Sequence, residues 1–280
     1  MGSTTSLART YGVELLFPER PILDFVRMAS QLQERDAGIE VVQGATPGSN
    51  GLTIAHRDHL VSYDDGTMPA QAMIALATEP AKTSERDRAL EQTWDWDEAR
   101  DAVTGCSWSV LVTDFLASGF EYHTRLKLFH TILEGVLTAV TPKAILWHPS
   151  QRIVNPATYV ATRRRANPDP LGPAINVRLF RVEGRAPGEM VMDTLGLAAL
   201  GLPDLQCHFL DLEPGAVAGI LYSTAEYLFM HGDIIEDGHT IQGLTVEQHW
   251  RCQHEDSLVP PARTIVDIDP GIPYVAGQRS

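Results

Sequence analysis

The segment 107–148 constrains the fold of this chain more than any other part of the sequence. Residues 107–115 are rich in β-branched and aromatic side chains and carry little charge, which predicts a strand buried on both faces. From Tyr122 onward, apolar residues recur every three or four positions for about twenty residues, as in an amphipathic helix. Residues 144–148 form a second short apolar strand. This order predicts two parallel strands joined by a right-handed helical crossover.

Both ends of the predicted helix carry recognisable signals. Ser118 and Glu121 have the spacing of a capping box, in which both side chains accept hydrogen bonds from backbone amides at the start of a helix. Pro142 cannot continue a helix, and it disfavours helical geometry at Thr141. We therefore expect the helix to lie between Glu121 and Thr141.

The chain before this unit alternates between strand and helix patterns. Short apolar runs predict strands, whereas apolar residues repeated at helical spacing, or a proline at the start of a segment, favour helices. The predicted elements are a loose tail (1–11), a strand (13–17), a helix ending before Gly38, two strands (39–42 and 52–63) and a short helix that begins at Pro69. With the strand at 107–115, this is the order of a split βαβ or ferredoxin-like unit.

A proline-rich stretch follows His148 and predicts a connection or a domain boundary. Beyond it, residues 175–182 and 189–195 have strand patterns on either side of a glycine-containing turn, and we expect them to pair antiparallel. The remaining predicted elements are a strand (205–211), a helix from Pro214 to just before Gly232, and a last strand (264–268).

Together these elements predict an α+β fold in which helices pack on mixed β-sheet layers. We assign residues 1–11 to a flexible tail, 12–148 to an N-terminal α+β half and 149–280 to a C-terminal α+β half. We expect the two halves to form one compact unit. Two ferredoxin-like halves are a more specific version of the same fold.

The charge balance restricts the partners of this protein. The chain has 22 lysines and arginines against 36 acidic residues, which gives a formal net charge of -14. Because phosphate groups are bound mainly by lysine and arginine, this balance argues against nucleic acid and anionic membranes as partners. It favours a basic protein partner instead.

The cysteines indicate a reducing compartment. Cys106, Cys207 and Cys252 are odd in number, and their spacing matches neither a disulfide framework nor a C-x-x-C metal knuckle. We expect reduced thiols in a cytoplasmic protein. The N-terminal region has no basic segment followed by a long apolar run, so we expect neither a signal peptide nor a membrane span.

Several short motifs follow one another in the C-terminal half. They are Thr194–Leu197, Leu200–Leu205, Tyr227–Gly232 and Asp237–Gly243. Their order within residues 145–270 resembles the bacterial family called domain of unknown function 4261. The resemblance implies an α+β fold and a bacterial, intracellular protein, and it implies no catalytic residues. Asp204 and Gln206 stand where that family tends to have an acidic pair, and His239 stands where an acidic residue is usual.

Motifs of common enzyme classes are missing from the sequence. There is no G-x-S-x-G nucleophile elbow, no G-x-x-x-x-G-K-[ST] phosphate loop, no G-x-G-x-x-G and no H-E-x-x-H. We therefore expect no cofactor and name no catalytic residue.

Two places in the sequence are candidates for a binding site. Trp147 and His148 end the second strand of the central unit, and open α/β sheets tend to bind ligands at the carboxyl ends of their strands. A second groove is predicted from small and glycine residues that let backbones approach closely, namely Thr194, Gly196, Gly238 and Thr240. The alternative interpretation is structural: a tryptophan buried in the core and glycines in tight turns.

The last fifty residues are rich in histidine and carboxylate side chains. They include Asp237 and the histidines at 231, 239, 249 and 254. Zinc prefers such ligands, but the spacing matches no known metal site, so we predict a solvated acidic surface and no metal. Asp237 stays a candidate for contact with a ligand or partner.

Three functional hypotheses follow. The first is a non-enzymatic interaction protein, accessory or immunity-like, that masks a basic partner in the cytoplasm. The second is an enzyme or small-molecule binder with a groove near Trp147, His148 and the 194–197 turn. The third is a metal-binding module in the histidine-rich end.

Overall fold

The computed structural model describes residues 10–63, 66–77, 83–117, 119–182 and 187–277. The chain divides into two compact units, an N-terminal unit of Ala8–Pro173 and a C-terminal unit that contains the chain from Ala174 onward. The boundary therefore lies after Pro173, whereas the sequence placed it after His148 within one compact unit. The reason is that the residues just after His148 turn back and add a further strand and helix to the N-terminal unit.

The N-terminal unit has one seven-stranded sheet in the order β2-β3-β4-β5-β1-β6-β7, and all neighbouring strands in it are antiparallel. Its elements are β1 (Gly12–Phe17), α1 (Phe25–Arg35), β2 (Ile39–Gln43), β3 (Gly51–Tyr63), β4 (Gly66–Leu76), α2 (Thr83–Glu91), α3 (Ala99–Val103), β5 (Trp108–Phe115), α4 (Tyr122–Ala139), β6 (Ala144–Trp147), β7 (Arg152–Val154) and α5 (Pro156–Arg163). Apolar residues of β1, β5 and β6 are buried at the centre of this sheet.

The predicted strand–helix–strand unit is β5-α4-β6. Both strands pair antiparallel with β1, so they are parallel to each other with β1 inserted between them. Helix α4 buries residues around most of its circumference and packs against α1 and α5. Its N-terminal cap is Glu121, whose carboxylate accepts hydrogen bonds from the amides of His123 and Thr124. Ser118, the other half of the predicted capping box, lies outside the described residues.

The predicted helix at Pro69 is wrong, because Gly66–Leu76 is strand β4. This strand forms a hairpin with β3 and pairs on its other side with β5. Ala70, Ala72 and Ile74 are buried in alternation, which is the period of a strand. Pro69 fits because it pairs with Leu60 just beyond a register shift, one of the places where a sheet accepts proline.

The C-terminal unit has one six-stranded sheet in the order β11-β12-β13-β10-β9-β8. Its pairings are antiparallel except for the parallel pair β10 and β13, so this sheet is mixed, as predicted. Its elements are β8 (Asn176–Arg181), β9 (Glu189–Leu195), β10 (Asp204–Leu210), α6 (Pro214–His231), β11 (Thr240–Gln242), β12 (His249–Asp256) and β13 (Thr264–Asp269). Helix α6 packs on β8, β9 and β10. The fold is α+β.

Candidate functional site

A groove of about 720 Å³ lies between α6 and the segment 234–244 in the C-terminal unit. One wall is a face of α6, and the other is formed by the turn before β11, by β11 itself and by the residues just after it. We call it the α6–β11 groove. It is lined by Ala216, Gly219, Ile220, Ser223, Thr224, Tyr227, Ile234, Ile235, His239, Thr240, Ile241, Gln242, Gly243 and Leu244.

Small side chains on α6 make room for the groove. The helix starts after the cap residue Glu213, whose carboxylate accepts a hydrogen bond from the Ala216 amide, and it ends at Gly232. Val217, Leu221 and Leu228 are buried on its inner side. On the groove side, Gly219 is exposed, and a Cβ placed on it would meet no atom within 4 Å.

The wall opposite α6 begins with a turn whose geometry is fixed by Asp237 and Gly238. Gly238 has a φ of 87°, a left-handed conformation that favours glycine. The Asp237 carboxylate accepts hydrogen bonds from the His254 backbone amide at 2.7 Å and from its Nδ1 at 2.9 Å, which lower the pKa of Asp237. These contacts tie the turn to β12 and present His239 and Thr240 to the groove.

The far end of this wall is held by Trp250 and Gln248. A Cβ on Gly243 would lie 2.3 Å from Nε1 of the buried Trp250, so only glycine fits there. The Gln248 side-chain oxygen accepts hydrogen bonds from the amides of Leu244 and Thr245. The Trp250 and Gln248 side chains therefore hold the loop after β11 in place.

The surroundings of the groove are acidic. No lysine or arginine occurs between Arg185 and Arg251 in the sequence. Two exposed carboxylates contact lining residues: Glu213 accepts from the Ala216 amide, and Glu236 lies 3.6 Å from His239. Two more, Glu226 and Asp233, directly precede lining residues in the sequence. Arg251 of β12, the exposed cross-strand partner of Thr240, adds one positive charge beside the groove, but none of the described lining residues is a lysine or arginine. A cationic ligand in the groove would therefore lie near more negative than positive charge.

Apolar side chains are exposed in and beside the groove. Tyr227 is 48% exposed and Ile234 46%, both in the lining, while Met230 and Val246 are exposed nearby in the chain at 62% and 70%. Clusters of exposed apolar residues with a polar rim are typical of interaction sites. The sequence motifs Tyr227–Gly232 and Asp237–Gly243 contribute to this surface, although the sequence did not show that α6 and β11 meet there.

The candidates Thr194 and Gly196 lie inside the C-terminal unit and not in this groove. The Thr194 hydroxyl donates to an Asp204 carboxylate oxygen at 3.2 Å and accepts from the Leu205 amide at 2.9 Å. Gly196 has a φ of 135°, and a Cβ there would lie 2.1 Å from the carbonyl oxygen of Ala174. Both residues thus have structural roles in the interior.

A buried ion-pair network surrounds Thr194, and sequence reasoning missed it. Arg178 contacts both carboxylate oxygens of Asp193, at 2.9 and 2.5 Å. Arg263 bridges Asp193 and Asp204, at 2.6 and 2.8 Å, and also donates to the Thr194 carbonyl. Burial raises the pKa of Asp204, and the Arg263 guanidinium opposes that rise. The four charges lie on β8, β9, β10 and the residue just before β13, so no local sequence motif indicated the network.

Trp147 and His148 lie in the N-terminal unit with different environments. Trp147 is fully buried and donates a hydrogen bond from Nε1 to the Tyr11 hydroxyl at 2.8 Å. His148 is partly exposed, with Nε2 3.8 Å from a carboxylate oxygen of the buried Glu14. It lines a small cavity of about 220 Å³ with Glu85, Arg88, Leu146 and Gln151. Of the predicted pair, only His148 is accessible to a ligand.

The histidine-rich end holds scattered pairs of side chains. His254 contacts Asp237 at 2.9 Å and lies 3.8 Å from Asp233, and His239 lies 3.6 Å from Glu236. Among the described residues, no group of three or more histidine, cysteine or acidic side chains is arranged to hold a metal ion. None of the helices in the described part of the chain has the length and apolar character needed to cross a bilayer.

Part of the C-terminal unit matches a known protein family. No curated protein and no solved structure matches the chain significantly. The residues that match a family model are 193–269, which include β10 to β13, α6, the α6–β11 groove and the Asp193–Asp204–Arg263 cluster. They match the family described as Domain of unknown function (DUF4261), which confirms the resemblance seen in the C-terminal motifs.

Proposed function

We propose that this chain is a non-enzymatic interaction protein that binds a basic, partly apolar segment of a partner protein in the α6–β11 groove. The observation that carries the proposal is the combination of exposed apolar lining residues with acidic neighbours in a stretch without lysine or arginine. Opposite charge near an apolar groove selects partners and speeds their association.

The composition of the lining favours binding over catalysis. Acid–base chemistry needs titratable groups placed together. The lining contains one imidazole, His239, and no carboxylate, thiol or lysine. The His239 Nδ1 accepts a hydrogen bond from the Glu236 amide at 3.1 Å, which holds the ring in its own turn.

A bacterial cytoplasmic location belongs to the same proposal. Cys106, Cys207 and Cys252 are buried and form no disulfide bonds, which is typical of proteins in a reducing compartment. The family resemblance supports a bacterial origin. An immunity-like role, in which the acidic groove masks a basic partner, is the specific version that we favour.

Selection of peptides from a random library tests the proposal. The full chain serves as bait, and the Ser223→Trp variant, which fills the groove from the exposed side of α6, is used for counter-selection. Ser30→Trp is the matched control, because Ser30 is also an exposed serine within a helix but lies on α1 in the other unit.

We expect the selected peptides to be enriched in lysine or arginine next to apolar residues. Their affinity should fall at least about tenfold in Ser223→Trp, a loss of about 1.4 kcal/mol, and stay unchanged in Ser30→Trp. Selected peptides without excess basic residues, or peptides that bind Ser223→Trp as well as the wild type, would overturn the proposal.

A small organic ligand in the same groove is the second candidate. The observation in its favour is the volume of about 720 Å³, which lies in the usual range of ligand pockets. Thermal shift measurements with a library of uncharged and cationic small molecules test it. A ligand that stabilises the wild type and Ser30→Trp but not Ser223→Trp would support this candidate.

A further inference from the structure

Strand β11 forms one edge of the C-terminal sheet. It pairs with β12 through Thr240–Arg251, Ile241–Trp250 and Gln242–His249, and it has no partner strand on its other side within the described part of the chain. An edge strand leaves a row of backbone amides and carbonyls available to another strand.

The hydrogen-bond pattern shows which backbone groups face outward. The His239 carbonyl accepts from the Cys252 amide, and the Gly243 amide donates to the Gln248 carbonyl, so these two backbone groups point toward β12, whereas the His239 amide donates to the Glu236 carbonyl. In an antiparallel strand this direction alternates with every residue. Ile241 therefore points toward β12, whereas the amides and carbonyls of Thr240 and Gln242 point to the open edge.

The open edge belongs to the α6–β11 groove. Thr240 and Gln242 both line the groove, and both are exposed. Natural proteins commonly protect sheet edges with proline, lysine or a bulge. Residues 240–242 contain no proline or lysine, and their register with β12 is regular.

We propose that the basic segment binds in extended form, as an added strand that pairs with Thr240 and Gln242 of β11. This inference rests on the proposed function and specifies how the partner is held. Each of the two residues offers one amide and one carbonyl to the added strand. Backbone pairing then supplies affinity, and alternate side chains supply specificity.

The groove sets the pattern of side chains that such a strand should carry. Successive side chains of a strand point to opposite faces. One set would contact the apolar lining around Ile220, Tyr227 and Leu244, and the other would point toward solvent and the carboxylates nearby. The ligand chemistry is therefore a peptide in which apolar and basic residues alternate.

Backbone N-methylation of a synthetic peptide separates strand addition from other modes of binding. The probe alternates lysine and valine over about eight residues, the length of an ordinary strand. Two isomeric versions carry N-methyl groups either on all valine amides or on all lysine amides. In an added strand only one of these sets faces β11, so one isomer should lose more than about tenfold in affinity and the other should bind as the parent does.

A matched pair of protein variants tests the same contact from the other side. Gln242→Pro removes the outward amide, and proline is tolerated at a sheet edge when its missing amide would face away from the neighbouring strand. Gln242→Ala removes the side chain but keeps the amide. We expect peptide binding to be about tenfold weaker for Gln242→Pro than for Gln242→Ala, because both variants lack the glutamine side chain and only the proline variant lacks the amide.

The outcomes distinguish this inference from the function on which it rests. Suppose that the probe binds the wild type, that Ser223→Trp abolishes this binding, and that both methylation patterns weaken it equally. The groove then binds basic peptides, but strand addition is wrong. If the probe and the peptides selected from the library all fail to bind in the groove, both proposals are overturned. Selective loss with one methylation pattern and with Gln242→Pro supports strand addition.

Discussion

His130 is buried inside the N-terminal unit and held by two hydrogen bonds. Its Nε2 donates to the Pro170 carbonyl at 3.1 Å, which leaves Nδ1 to accept from the Tyr159 hydroxyl at 2.8 Å. The proton position follows from the carbonyl, which can only accept. Burial, with a smaller effect of Arg163, lowers the pKa of this imidazole from 6.5 to about 3.

This histidine should make stability depend on pH. Below pH 6.5 the His130 imidazole becomes protonated in the unfolded chain but stays neutral in the folded protein. The free energy of unfolding therefore falls as the pH decreases. The contribution approaches about 1.4 kcal/mol per pH unit between pH 6.5 and the lowered pKa. Urea denaturation at several pH values measures this dependence. Between pH 6.5 and the lowered pKa, the free energy of unfolding should change less with pH for His130→Gln than for the wild type. An equal change with pH in both proteins would contradict the lowered pKa of His130.

Arg263 neutralises two carboxylates in the interior of the C-terminal unit. Arg263→Met would leave Asp204 without its cationic partner, and removal of one member of a buried ion pair costs about 3–5 kcal/mol. Adding Asp204→Asn to this variant removes the unpaired charge and should recover part of the loss. Chemical denaturation of both variants measures these changes. A loss below about 1 kcal/mol for the single variant would show that the network is dispensable for stability.

Two glycines within helices allow a comparison at the level of elements. A Cβ on Gly219 in α6 would meet no atom within 4 Å, whereas one on Gly135 in α4 would lie 2.5 Å from Cδ2 of buried Leu32. Gly219→Ala should therefore stabilise the protein by about 0.5–1 kcal/mol through helix propensity. Gly135→Ala should destabilise it by about 1–3 kcal/mol, because the core must shift. Thermal denaturation measures both changes in stability. If both variants were stabilised, or both destabilised, the packing described for α4 and α6 would be contradicted.

The elements also show where local patterns are sufficient and where they are not. Helix α4 was predictable because its apolar repeat is long and a proline follows it. Strand β4 was not, since Pro69 and several alanines favour a helix start and only pairing with β3 and β5 makes the segment a strand. Strands β11 and β12 were missed, because they are polar and depend on their neighbours in the sheet.

At the scale of the whole molecule, the net charge of -14 should control association. Attraction between an acidic protein and a basic peptide is screened by salt. The affinity for the alternating lysine–valine peptide should therefore fall steadily as the salt concentration rises, in fluorescence polarisation measurements. A peptide in which serine replaces lysine is the control and should show little dependence on salt. Salt-independent binding of the lysine peptide would remove the electrostatic part of the proposal.

The sequence by itself determined the crossover unit around α4, the strands β8 and β9 with their antiparallel pairing, the acidic stretch before Arg251 and the match of the C-terminal motifs. These features are local, because they depend on periodicity, turn residues and composition within short windows. Only the tertiary structure decided that β1 separates β5 from β6, that Arg263 reaches Asp193, and that α6 and β11 enclose a groove. Those features depend on contacts between residues far apart in the chain, which the packing of the core selects and no local pattern encodes.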